Sequence, residues 1–338
     1  MHRLLGLLLA ALLLAAGCRA GTPPAKPDEP TPAPTPGDTA VQRPQDSTPP
    51  TPLPAPPVQL PETPPSITVE PQQVLQGDMA TLSFDRSVTG EVKVSVAGLN
   101  EQPKVFRLFD RPVAFIGFPA AAKVGVYPVR VTWPDGSWEG SIEVLRKSFT
   151  EDRLVVTEQQ EQLYYDPRQA EQWQKVFRLR STSADRPLWR GAFLAPLEGN
   201  LEITTYFGEI RFVNGKETGR HSGMDFGAPT GAPIRAPARG RVILAEELIV
   251  TGWTVIIDHG MNLFTTYYHC ERLTVAPGDW VEPGDLIGTV GSTGFSTGPH
   301  LHWTATIGNT PVDPWPLTQA PPLGVLPLVE RLPESLKE

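Results

Sequence analysis

Two of the chain's six histidines stand one residue apart, in Gly298-Pro299-His300-Leu301-His302. The stretch from His300 through residue 307 alternates and reads as a strand. In a strand, residues i and i+2 project to the same face. Both imidazoles can therefore address one site while Leu301 packs behind them. Five of the six histidines fall between 221 and 302. Imidazole is the commonest metal ligand and a common general acid or base, so the clustering points to one or both of those chemistries. His221 and Asp225 are spaced i, i+4, which would place them on one helix face. Gly223, Gly227 and Pro229 argue against a helix and for an extended or looped segment. An imidazole and a carboxylate so close in sequence suit a borderline divalent ion such as zinc.

Other chemistries fit less well. His259, before Gly260 at a strand end, reads as a structural turn residue rather than a further ligand. Cys270 directly follows His269, but adjacent strand residues face opposite ways, so a cysteine–histidine dyad is not expected and Cys270 reads as a small core residue. Residues 294–298, Gly-Phe-Ser-Thr-Gly, match the nucleophile pattern of serine hydrolases. That fold needs a strand, a turn and a helix there, with a histidine later in the chain, and none follows His302. The hairpin-like run at 275–291 suggests a lipoyl- or biotinyl-type carrier, but no lysine lies between Lys216 and Lys337 to be modified.

The elements that must position these residues are mostly strands. Between 191 and 318 the strand candidates are 241–245, 253–258, 263–270, 286–290 and 300–307. Residues 149–190 read as a connector with one short helix, started by Asp166-Pro167 with Gln169 as capping partner. Trp173, Val176 and Phe177 are placed on one face of that helix. Residues 67–148 hold several short alternating strands with no histidine, among them Val92, Val94 and Val96 and then Tyr127, Val129 and Val131. This spacing predicts an immunoglobulin-like β-sandwich serving as spacer or binding module.

The ends of the chain predict its location. Residues 1–18 have a basic start, an apolar run at 4–16 and small residues before Cys18, which resembles a bacterial lipoprotein signal with Cys18 as the lipidated residue. Residues 19–66 are dominated by proline and predict an extended tether, reaching on the order of 100 Å at about 3 Å per residue. The tail at 319–338 is again proline-rich. An exported protein, held at the cell envelope through a lipid in the membrane, is the expectation. With Cys18 lipidated, Cys270 has no intrachain disulfide partner. A net charge of −8 offers nothing for nucleic acid.

Three separated motifs then become specific: His221-x-Gly223-x-Asp225, His269 at the end of a strand, and Gly298-Pro299-His300-x-His302. Together they resemble the M23 peptidase family, the zinc peptidoglycan endopeptidases of the lysostaphin and LytM type. The resemblance spans roughly 191–318. It implies an M23-type antiparallel β-sheet catalytic domain, which makes the whole protein mainly β with the sandwich first. It implies one Zn2+ held by His221, Asp225 and His302, with His269 and His300 dividing the deprotonation of water and the stabilisation of the oxyanion between them. The implied substrate is the peptide cross-link of peptidoglycan. Three features depart from the pattern: Trp303 replaces Phe, Thr304 replaces Glu, and the usual Phe-Gly-x-Arg carries an extra residue in Phe207-Gly208-Glu209-Ile210-Arg211. The alternative from another class is a metal-free relative that binds cell wall or activates another hydrolase. Such relatives lose zinc ligands, whereas all five expected groups are present here.

Overall fold

The computed structural model describes residues 63–199 and 201–323. The signal segment with Cys18, nearly all of the tether and the tail beyond 323 lie outside the described residues.

Strands β1 (Ile67–Glu70), β2 (Gln73–Leu75), β3 (Met79–Phe84), β4 (Lys93–Val96), β5 (Val105–Leu108), β6 (Arg111–Gly117), β7 (Gly125–Trp133) and β8 (Gly136–Leu145) form two four-stranded sheets. Their orders are β1-β3-β6-β5 and β2-β8-β7-β4. Alternation is the reason they pair. In β7, Tyr127, Val129 and Val131 are buried while Val126, Pro128 and Arg130 are exposed. They meet Val94, Val96, Leu82, Phe84 and Ile142 in one core, each large apolar side chain contributing about 1.5–3 kcal/mol by leaving water.

The connector holds β9 (Glu151–Leu154), α1 (Glu158–Tyr164) and α2 (Gln169–Arg180). One helix was expected and two are present. A capping box at Thr157-x-x-Gln160 starts the additional one: Gln160 N donates to the Thr157 hydroxyl, and Gln160 Oε1 accepts from Thr157 N at 2.9 Å. Before α2, the Asp166 carboxylate accepts from Arg168 N at 2.8 Å, but the Gln169 side chain donates to the Tyr164 carbonyl instead of closing a second box. Val176 and Arg180, four residues apart, form the buried line of α2. Phe177 lies at the edge of that line, stacked on Trp173, and is half exposed rather than sharing the packed face.

The remaining elements are β10 (Glu202–Thr205), β11 (Ile210–Val213), β12 (Lys216–Arg220), β13 (Met224–Gly227), β14 (Pro233–Arg235), β15 (Gly240–Leu248), β16 (Gly252–Asp258), β17 (Leu263–Leu273), β18 (Trp280–Val281), β19 (Leu286–Val290), β20 (His300–Ile307), β21 (Thr310–Val312) and α3 (Pro316–Gln319), a third and short helix. The main sheet runs β10-β13-β20-β17-β16-β15-β18, with β14, β19 and β21 attached. The fold is thus mainly β, and each expected strand falls within β15, β16, β17, β19 or β20. A small sheet, β12-β11-β9, recruits the connector strand β9 in parallel with β11.

Phe106, Leu108, Val113 and Phe115 of the sandwich share a core with Trp189, Met261, Leu263, Ile307 and Val312. Lys147 bridges to Asp313 at 2.7 Å, and the Glu101 carboxylate accepts from Asn309 N at 2.9 Å. The sandwich is therefore packed against the large sheet rather than hung from it.

Candidate metal centre and active-site groove

β13 and β20 pair antiparallel with Asp225 opposite His302 and Gly227 opposite His300. Directly opposed residues share a face, so the carboxylate and both imidazoles rise from the same side. His221 precedes β13 in a looped segment, as its glycine neighbours predict. Its Nε2 lies 3.0 Å from Asp225 Oδ1 and 2.9 Å from His302 Nδ1, and His302 Nδ1 lies 2.7 Å from Asp225 Oδ1. These are the three groups whose donor atoms converge within 4.8 Å of one another, and all three are buried.

The donor set fits a divalent cation. His221 Nδ1 donates to the Tyr206 carbonyl at 3.0 Å, which leaves a lone pair on Nε2 facing the cluster. His302 Nε2 faces the Thr304 hydroxyl at 2.8 Å, a partner for the ring hydrogen when Nδ1 is the ligand atom. Burial pushes the Asp225 carboxyl up, but the neighbouring His221 and His302 outweigh it and hold the group well below the carboxylate range. Burial pushes His302 down to about 4, against the opposing pull of Asp225. An ionised Asp225 beside a neutral His302 suits a metal ligand set, which needs both groups deprotonated. Gly223 is required by close approach. A Cβ there would meet the Trp303 carbonyl oxygen at 2.4 Å and His302 Nε2 at 2.8 Å.

His269 reaches the site by a route that alternation does not supply. Tyr268 is paired with His302, so strict alternation would turn His269 to the opposite face. Instead His269 adopts φ +58, the left-handed region that side chains seldom occupy. It stands where β17 leaves β20 and takes up pairing with β19 at Cys270. The kink brings its ring within 4.8 Å of His300 and 6.2 Å of His302, centroid to centroid. His269 Nδ1 donates to the Thr293 carbonyl at 2.7 Å and His300 Nδ1 to the Gly298 carbonyl at 2.8 Å. Each Nε2 is thereby left free, and that of His300 lies 3.9 Å from Asp225 Oδ2. Burial, with His300 and His302 nearby, lowers His269 to about 3.

Two cavities flank the cluster and share Arg211, His269, Phe295 and His302. One of about 390 Å³ is walled by Tyr164, Trp173, Arg211, Arg220 and Phe295. The other, of about 250 Å³, is lined by small and hydroxyl-bearing residues such as Thr204, Thr205, Thr297 and Gly298. The connector thus forms part of the groove. Tyr164 packs on Phe295 at 4.8 Å, and Gln160 donates to the Ser296 carbonyl at 2.9 Å. Despite the extra residue before it, Arg211 still reaches the site, its Nε bound to Asp152 Oδ2 at 2.7 Å and its Nη2 3.9 Å from Asp225 Oδ2.

The remaining candidates fall outside this chemistry. His259 bonds the Arg239 carbonyl and the Thr265 hydroxyl, and burial lowers it to about 4. Cys270 lies in the core, its thiol pushed up to about 12 by burial. Ser296 Oγ is 3.4 Å from His300 Nδ1, but that nitrogen's hydrogen is committed to Gly298, so it offers no base. The reading of residue types missed Arg180, Tyr268 and Asp152, and none of the three carries a local sequence signal.

The His–Asp–His cluster, with two further histidines and a cavity on either side, is an arrangement able to hold a divalent cation. Residues 219–314 match the family described as Peptidase family M23, and the chain carries a domain of that family. Among curated proteins, it is 48% identical over 63 residues to the DD-carboxypeptidase/endopeptidase Mpg of Neisseria meningitidis serogroup B, covering 19% of this chain and 14% of that protein. It is 38% identical over 74 residues to the peptidoglycan DD-endopeptidase ShyB of Vibrio cholerae, covering 22% and 17%. The match thus spans less than a fifth of either relative. The crystal structure of a peptidase M23 from Pseudomonas aeruginosa superposes with a TM-score of 0.53 at 26% identity, covering 72% of this chain and 94% of that one. That likeness extends well beyond 219–314.

Proposed function

We propose that this chain is a zinc-dependent endopeptidase that hydrolyses peptide cross-links of bacterial peptidoglycan. The observation that carries the reading is the convergence of His221, Asp225 and His302 beside the two free Nε2 atoms of His269 and His300. The M23 domain and relatives named as peptidoglycan DD-endopeptidases support it. His221 Nε2, Asp225 Oδ1 and His302 Nδ1 would hold the ion, three protein ligands being the number a catalytic site uses. When bound, zinc supplies Lewis acidity and lowers the pKa of water toward ~7.

The other steps belong to the chain's own residues. His269, kept neutral by burial, presents Nε2 as proton acceptor to the attacking water. His300 faces the same space and, when protonated on Nε2, donates to the tetrahedral oxyanion. The Thr293 and Gly298 carbonyls fix both rings, so no reorientation is needed during the reaction. Small residues along one arm of the groove suit glycine- or alanine-containing peptides.

Digestion of purified peptidoglycan by the full chain, with mass analysis of released fragments and metal content measured in parallel, tests the reading. Stoichiometric zinc and cleaved cross-links are expected, and a protein without stoichiometric zinc refutes it. The same proposal places the protein at the cell envelope, lipid-anchored at Cys18 behind the tether, with the sandwich as an immunoglobulin-like spacer. Cys18→Ser is expected to move the protein from the membrane to the soluble fraction.

A further inference from the structure

The face of the β17–β20 pair that carries His302 continues away from the groove as a buried polar row. Thr266 is opposite Thr304 and Tyr268 opposite His302, so all four side chains share that face. Helix α2 covers it, packing Val176 against Leu244, Ile256 and Phe264. The last residue of α2, Arg180, is buried with them at 4% exposure. Its Nη2 donates to Thr266 Oγ1 at 2.7 Å, and its Nε has no partner. The Tyr268 phenol lies near both the Arg180 guanidinium and the Thr304 hydroxyl, close enough for each to act on it. Thr304 Oγ1 in turn lies 2.8 Å from His302 Nε2. The Tyr268 ring lies flat on the His302 ring, with centroids 4.8 Å apart and planes 15° apart.

Burying a guanidinium costs solvation that hydrogen bonds must offset. Among the described residues Arg180 has no carboxylate within ion-pair distance, and Thr266 accepts the hydrogen bond that its guanidinium makes. Helix packing does not require such a residue at this place, since an apolar side chain would cover the sheet without that cost.

We propose that Arg180 is a positioning residue for the metal centre, acting through Tyr268 and Thr304 to fix the plane and tautomer of His302. A guanidinium has donors only, so Tyr268 Oη accepts from it and directs its own hydrogen to Thr304. Thr304 Oγ1 keeps a second lone pair for the Nε2–H of His302. His302 then presents Nδ1 as a lone pair toward Asp225 and His221. The connector helix becomes the back wall of the metal site, although it contributes no ligand. This inference rests on the reading of His302 as a ligand.

The test is zinc affinity of the full chain, measured by competition with a chromophoric chelator, alongside melting of the metal-free protein. Arg180→Met, Tyr268→Phe and Thr304→Val are each expected to weaken zinc binding about ten-fold or more, the range for partners of a ligating histidine. Thr304→Ser, which keeps the hydroxyl, is expected to bind like the parent. Arg180→Met combined with Thr304→Val is expected to cost no more than the worse single change, because both break one chain of bonds. A merely structural role would lower the melting temperature and leave affinity unchanged. Parent-like affinity in Arg180→Met and Tyr268→Phe, with zinc lost in His302→Ala, overturns the inference while leaving the ligand assignment intact. Parent-like affinity in His302→Ala overturns the ligand assignment itself and the inference with it. Should Arg180→Met fail to fold, Tyr268→Phe decides alone: unchanged affinity refutes the chain.

Discussion

At the scale of single residues, the proposed function separates metal holding from proton handling. His302→Ala is expected to lose both zinc and hydrolysis. His269→Ala is expected to keep stoichiometric zinc and lose activity by roughly 10²–10⁴-fold, the range for a general acid–base group. Metal analysis and digestion assays on both variants check the division, and normal hydrolysis by His269→Ala would show that the proton is taken elsewhere. Gly223 makes a similar point about space. Gly223→Ala places a methyl group against the Trp303 carbonyl and the His302 ring, so a loss of about 1–3 kcal/mol is expected in denaturant titration, with weaker zinc binding. An unchanged midpoint would mean that the loop at 221–223 moves freely.

At the scale of elements, the site is assembled from pieces with separate reasons to form. The β13–β20 register places Asp225 against His302. The kink in β17 delivers His269, and the connector closes one side of the groove. Helix α1 is short and none of its residues is buried, so its end cap and its contacts at Phe295 and Ser296 hold it in place. Thr157→Ala removes the cap and is expected to cost about 1 kcal/mol. Backbone hydrogen exchange should then speed up across Glu158–Tyr164 while β17 and β20 stay protected. Equal acceleration in the strands would mean that α1 and the sheet open as one unit.

At the scale of the whole molecule, the core shared by sandwich and sheet makes the described residues a continuous packed body. Its acid stability depends on imidazoles kept neutral inside. His259 has a folded pKa of about 4 against an ordinary value of 6.5. Between those values the unfolded chain takes up a proton that the folded chain refuses, so stability rises with pH across that window. The contribution is fully present above pH 6.5 and is lost as pH falls through about 4, at up to ~1.4 kcal/mol per pH unit. Denaturant titrations at several pH values should show the decline, and His259→Gln should flatten it. The same slope in the variant would place the sensitivity in other groups.

The residue types and their spacing were enough to determine much of this protein. H-x-H on a strand, the glycine-broken His221–Asp225 segment and the alternating valines are local patterns. They depend on the strand repeat of two and on glycine's freedom, and both are legible without coordinates. The expected strands therefore reappear in β15, β16, β17, β19 and β20. Only the tertiary structure decided how His269 reaches the site, because alternation alone turns it away and a left-handed residue at a change of strand partner turns it back. Only the tertiary structure brought Asp152 to Arg211 and Arg180 behind His302, across 59 residues and across 86 residues to Thr266. Contacts at that separation follow from how α2 and β9 pack on the sheets, and no local periodicity encodes that packing.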